Sequence, residues 1–154
     1  MTAVPPVDRT PAALVLALAA VLLPGLAAAA PGEPTARDRH AAQCVAALDA
    51  SADDLVRQVK AGNGAARKPL LERLTAGASF IGEAYLHGDA SEGQARALVD
   101  QAEAEQRRLS AAELGARQSA CASEGARLLA AANALERAVV KRVARKRMDK
   151  LLGE

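Results

Sequence analysis

The sequence predicts an all-α protein, a helical bundle of about four helices running up and down and clamped by one disulfide. Three observations lead there. Apolar residues recur at steps of three and four through most of the chain, the spacing that marks one face of a helix. Alanine is abundant, whereas the 154 residues include one Phe, one Tyr and no Trp, so residues suited to strands are sparse. Only two cysteines are present, Cys44 and Cys121, and they fall on predicted helices far apart in the chain. The core must then rest on Leu, Val, Ile and Ala, at about 1.5–3 kcal/mol for each larger aliphatic side chain fully buried.

The first thirty residues set the compartment. Thr10 precedes an apolar run from Ala12 to Leu23, a Pro24-Gly25 break and four alanines from Ala27 to Ala30. That order matches a secretory signal peptide. The expected organisation is a signal peptide over residues 1–29, a linker over 30–35 and a single α-helical domain over 36–154 with a basic C-terminal helix. Cleavage after Ala29 places Ala27 and Ala29 in the small-residue positions. The alternative is a retained N-terminal membrane anchor, because residues 12–30 approach the lower length for a spanning helix. Export to the periplasm or the outside licenses a disulfide between Cys44 and Cys121.

Thr35 is placed to cap a first helix over residues 36–61, with Ala41, Val45, Leu48, Ala52, Leu55 and Val59 as its stripe. Ser51 and Asp54 offer a fresh cap and hence a kink. Gly62-Asn63-Gly64 supplies the residues that end a helix. A second helix begins near Lys68 with Pro69 in its first turn, where the missing amide hydrogen does no harm. Its stripe is Leu71, Leu74, Ala78, Ile81 and Tyr85, and Gly77 and Gly82 imply close helix contact on that side. Gly88 stops it.

Ser91 with Gln94 forms a capping box that opens a third helix to about Leu109. Ser110 with Glu113 repeats the pattern and favours a break between the third and fourth helices, but Leu109 is followed by neither Gly nor Pro, so one long rod is the alternative. A fourth stripe reads Leu114, Cys121, Leu128, Ala132, Leu135, Val139 and Val143. Residues 80–103, FIGEAYLHGDASEGQARALVDQAE, resemble one repeat of the Sel1 or tetratricopeptide kind in their Gly, Tyr-Leu, Gly and Ala-Arg spacing. The resemblance covers a single repeat without neighbouring copies, and a lone unit cannot bury its own face. A bundle, not a solenoid, remains the expectation.

Chemistry-bearing residues are few. Cys44 and Cys121 read as a structural bridge, worth at most about 4–5 kcal/mol for a loop of this length; a redox pair would sit as Cys-x-x-Cys. Glu83 and His87, four apart, share a helix face beside Tyr85. They could serve a small enzyme or inhibitor, but two ligands do not complete a zinc site, and a surface pair at a helix end is the simpler reading. His40, in a charged run with Arg37, Asp38 and Arg39, reads as a solvated helix start. No nucleophile elbow, phosphate loop or HExxH sequence occurs, and no catalytic residue, metal or cofactor is expected.

Charge is uneven. From residue 111 onward nine Lys and Arg face five Asp and Glu, and most of the excess lies in RAVVKRVARKRMDKLL, residues 137–152. Arg137, Lys141, Arg142, Arg145 and Lys146 form its basic side, and Leu135, Val139, Val143, Met148 and Leu151 its apolar face. Such a helix docks to an acidic protein surface or lies on anionic lipid. If the first and fourth helices run antiparallel with Cys44 opposite Cys121, about 45 Å of helix extends past the bridge on one side and about 12 Å on the other. The basic end would then overhang by about 30 Å. The function expected is that of an exported, non-catalytic interaction or accessory factor of the cell envelope, alternatively a peripheral membrane-surface binder. Another envelope protein or an anionic membrane surface is the expected partner. Nucleic acid is not expected, because no aromatics interleave with the charges.

Overall fold

The structure, a computed structural model, describes residues 32–88 and 90–154; the signal-peptide and cleavage expectations fall outside them. Among the described residues five α-helices form, α1 (Ala36–Lys60), α2 (Arg67–His87), α3 (Glu92–Gln106), α4 (Ala111–Ala131) and α5 (Ala134–Leu152), with a 3₁₀ turn at Gly64–Ala66. No strand occurs among the described residues. None of these helices is long and apolar enough to cross a membrane.

Local sequence chemistry sets the helix starts. Thr35, Ser91 and Ser110 each accept a hydrogen bond from the third backbone N–H of their helix, and Asp38, Gln94 and Glu113 reach back to the cap. Each box satisfies two otherwise orphaned backbone donors. α1 runs unbroken through Ser51, so that second cap is not used. Gly62, at a φ of 96°, takes the left-handed conformation that turns the chain after α1.

The fourth predicted helix is two helices. Asn133 caps α5 by accepting from the N–H groups of Leu135 and Glu136, and Glu136 accepts in return from the Asn133 N–H. This fourth capping box outweighs the helical spacing of apolar residues that continues through it, and the bundle has five helices instead of four.

Paired residues fix the directions. Arg37 meets Glu83 and Leu48 meets Gly77, so α2 runs against α1. Gln94 donates to Gly32 O and Gln106 to Gln43 O, which sets α3 alongside α1 in the same sense. Cys121 joins Cys44 and Glu124 meets His40, so α4 runs against α1. Arg67 meets Glu154 and Gly82 meets Val140, so α5 runs against α2. α2 is the central helix, packed on α1, α4 and α5. α3 packs on α1, and the two helices of the repeat-like segment therefore do not form a tetratricopeptide-type pair.

Two apolar clusters hold the bundle. One gathers Ala41, Cys44, Val45, Leu48, Ala76, Phe80 and Cys121. The other joins Ala52, Val56, Leu70, Leu74 and Ala144, with Met148, Leu151 and Leu152 packed against it. Cys44 and Cys121 are bonded, with their Cα atoms 5.2 Å apart, inside the usual span for a disulfide.

The second cluster corrects the expected overhang. The chain reverses at Asn133 and α5 folds back along α2, with Ala144 fully buried and Arg147 donating to Asp49 at 2.8 Å. The basic segment is thus a packed helix of the bundle with one outward face. The stripe on α2 is also shifted. Leu70, Leu74, Gly77 and Phe80 face the core, whereas Ile81 and Tyr85 face outward.

Candidate functional site

α2 and α5 meet over their core-facing residues, and beyond that contact their surfaces diverge into a groove. Ile81, Tyr85 and Leu86 line it from α2, Leu135, Val139 and Val143 from α5, Leu128 and Leu129 from α4 and Ala132 just beyond it, with Glu83 and Glu136 as its charged residues. Its volume is 410 Å³. The six large apolar side chains from α2 and α5 are all about half exposed or more, with Leu135 at 74% and Tyr85 at 90%. Scattered exposed apolar residues are ordinary, but a contiguous patch of this kind marks an interaction surface.

Helical spacing explains why α5 can bury one side and present another. Val140, Ala144, Met148 and Leu151 recur at steps of three and four along the inner side, whereas Leu135, Val139 and Val143 recur at steps of four about a quarter-turn away. The apolar face expected as one stripe is therefore divided: Met148 and Leu151 pack inward, and Leu135, Val139 and Val143 remain exposed.

The five basic residues singled out from the sequence all lie on α5 and line one shallow hollow with Ala134, Ala138 and Asp149. Lys141, Arg142, Arg145 and Lys146 are exposed. Arg137 is half-buried and its guanidinium donates to Ala132 O at the end of α4, so part of its role is to close that helix. Arg142 and Lys146 each lie three or seven residues beyond Leu135, Val139 or Val143 and so border the apolar stripe along its outer edge. The α5 surface consequently offers apolar contact and positive charge side by side.

Glu83 and His87 meet at 3.9 Å, and Arg37 also reaches Glu83, at 3.8 Å. The three make an ion cluster where the end of α2 meets the start of α1, and Glu83 also lines the groove.

A second group of polar side chains was not anticipated. His40 Nε2 lies 2.9 Å from Glu124 Oε2 and 3.8 Å from Cys44 Sγ. The ring is steadied edge-on against buried Phe80, with centroids 6.2 Å apart. The sequence signal was present in two spacings, His40 four residues before Cys44 and Cys121 three before Glu124. Each places both side chains on one helix face, but the pairing of α1 with α4 was needed to bring the faces together.

At the other end of the bundle, Arg67 holds Glu154 through two hydrogen bonds of 2.6 and 2.7 Å. They keep the Glu154 carboxyl below its ordinary pKa and raise that of Arg67. Hydrogen bonds from the Ser110 hydroxyl and backbone N–H likewise lower the Glu113 pKa. Both are features of helix ends and lie apart from the groove.

No protein-family model, curated protein or solved structure matches the chain.

Proposed function

We propose that this is an exported, non-catalytic docking protein of the cell envelope, and that the α2–α5 groove receives the apolar face of an amphipathic helix with acidic flanks on a partner protein. The observation that carries the reading is the run of six large apolar side chains left exposed on α2 and α5; the charged residues of the groove lining itself are Glu83 and Glu136, and Arg142 and Lys146 stand outside it, one helical step along α5 from Val139 and Val143. Helix-in-groove recognition uses apolar anchors at helical spacing, and cations at the rim select and steer an acidic partner. Export is supported by the signal-peptide pattern of residues 12–30 and by a disulfide suited to an oxidising compartment.

A second reading, a protein lying on an anionic membrane, is favoured by Tyr85 and Leu135, which stand out from the surface. Aromatic and aliphatic side chains beside cations are the features of a helix at a lipid interface. Co-sedimentation with phosphatidylglycerol vesicles and with phosphatidylcholine vesicles separates the two. The docking reading expects no uptake by either. Uptake by the anionic vesicles that is lost in Arg142→Glu/Lys146→Glu would replace it with the membrane reading.

A further inference from the structure

We infer that the reduced chain binds one zinc-like divalent cation between α1 and α4, through the thiolates of Cys44 and Cys121, the Nε2 of His40 and a carboxylate oxygen of Glu124. The site lies on the face of the bundle formed by α1 and α4 and is independent of the docking groove.

Three of the four donors are already gathered. One ligand atom each from His40, Cys44 and Glu124 lies within 4.8 Å of the other two. Tetrahedral zinc, with bonds of about 2.3 Å to sulfur and 2.0–2.1 Å to nitrogen or oxygen, holds S and N donors about 3.6 Å apart and N and O donors about 3.3 Å apart. The observed His40 separations, 3.8 Å to Cys44 Sγ and 2.9 Å to Glu124 Oε2, lie within half an ångström of those values. Cys121, whose sulfur is bonded to that of Cys44 and lies outside the gathered group, is the donor that must move in to complete the set. Once that bond is broken, the two sulfurs need only reach the roughly 3.8 Å at which a tetrahedral zinc holds two thiolates.

In the oxidised chain both sulfurs are committed to each other and supply no thiolate, so the clamp and the metal site exclude one another. Interconversion needs a reductant, and a dithiol suffices. Its two sulfurs bond to each other, the Cys44–Cys121 bond breaks, and two electrons and two protons pass to the protein sulfurs. Cation binding then forms two metal–sulfur bonds and releases both thiol protons to solvent. The surroundings suit this exchange. The sulfurs are buried, whereas the His40 and Glu124 side chains are 52% and 35% exposed and give the cation a way in from solvent. A metal held by these four residues ties α1 to α4 where the disulfide does, so the bundle keeps its clamp in either redox state.

The test is titration of Co²⁺ into the full-length chain reduced with a phosphine and freed of it, followed by visible absorption and circular dichroism. The expected result is one Co²⁺ per chain with the visible bands of tetrahedral coordination and thiolate-to-cobalt charge transfer, displaced by Zn²⁺ and absent from the oxidised chain. His40→Ala and Glu124→Ala, both at partly exposed positions, should each weaken binding by about 10-fold or more, since even outer-shell partners are worth that much. If the reduced chain loses helicity without metal, circular dichroism reads its recovery along the same titration. Absence of a cobalt chromophore on the reduced chain, folded or not, overturns the proposal. So does a chromophore that both single substitutions leave unchanged, because that would be a bare dithiolate pair.

Discussion

Gly125 of α4 lies directly on Ala76 of α2, so closely that a Cβ at position 125 would come within 2.8 Å of both the Cβ and the carbonyl oxygen of Ala76. This backbone-to-backbone approach lets α4 reach the central helix and brings Cys121, one turn earlier, to Cys44. Gly125→Ala must push the helices apart and is expected to cost about 1–3 kcal/mol, as overpacking does. Gly115→Ala, on the same helix but facing open space, should gain up to about 1 kcal/mol from helix propensity. Urea denaturation of the two variants checks the pair. Equal stability would contradict the close approach.

Asn133 makes the reversal between α4 and α5. Asn133→Ala removes a side-chain oxygen that accepts two backbone N–H bonds, and a loss of about 0.5–2 kcal/mol is expected. Asn133→Ser, which can still cap, should retain most of the stability. The same denaturation measurement distinguishes them.

These two positions show what the sequence made legible and what it did not. The capping boxes at Ser91 and Ser110 and the cap at Thr35 are readable from local spacing alone; that Asp38 completes a box at Thr35 is seen only in the structure. Asn133 was hidden because Leu128, Ala132, Leu135 and Val139 continue a helical period straight through it. Ile81 and Tyr85 read as core for the same reason, since a stripe through Leu71 and Leu74 and one through Leu70 and Leu74 are both helical. Only the packing of α1 on α2 decides between them, and the choice turned two supposed core residues into groove walls. Gly77 and Gly82 face neighbouring helices, but a Cβ added at either would meet Leu48 or Val140 at ordinary distances of 3.9 and 3.8 Å. The close approach is at Gly125, where nothing local marks it. The His40 cluster depended on pairing two helices 77 residues apart at their cysteines.

Acid should loosen two helix ends in a defined sense. Glu113 and Glu154 have folded-state pKa values below the ordinary range, through hydrogen bonds from Ser110 and Arg67 respectively. Each therefore contributes stability that is present above the unfolded value, about 4.3, and is lost as pH falls through the lower folded value. Carboxyl chemical shifts followed against pH should show the Glu113 midpoint rising in Ser110→Ala and the Glu154 midpoint rising in Arg67→Ala. Unmoved midpoints would dissociate the shifts from those partners.

Cys44 and Cys121 should both resist thiol labelling in protein recovered from its native compartment and denatured without reductant. Replacing both by Ser should cost up to about 4–5 kcal/mol by the loop-entropy argument. Full labelling of both sulfurs in the recovered protein would show that the clamp is not formed there.

The docking claim is tested most directly by titrating the oxidised chain with a synthetic helical peptide that carries a leucine stripe flanked by glutamates, read by fluorescence anisotropy beside a lysine-flanked peptide of the same stripe. The account predicts saturable one-to-one binding of the acidic peptide, weakened by salt. Binding should fall at least tenfold in Leu135→Asp/Val139→Asp, whose melting temperature stays close to the parent's because both positions are exposed. No binding of the acidic peptide, or equal binding by the parent and the double variant, would contradict it.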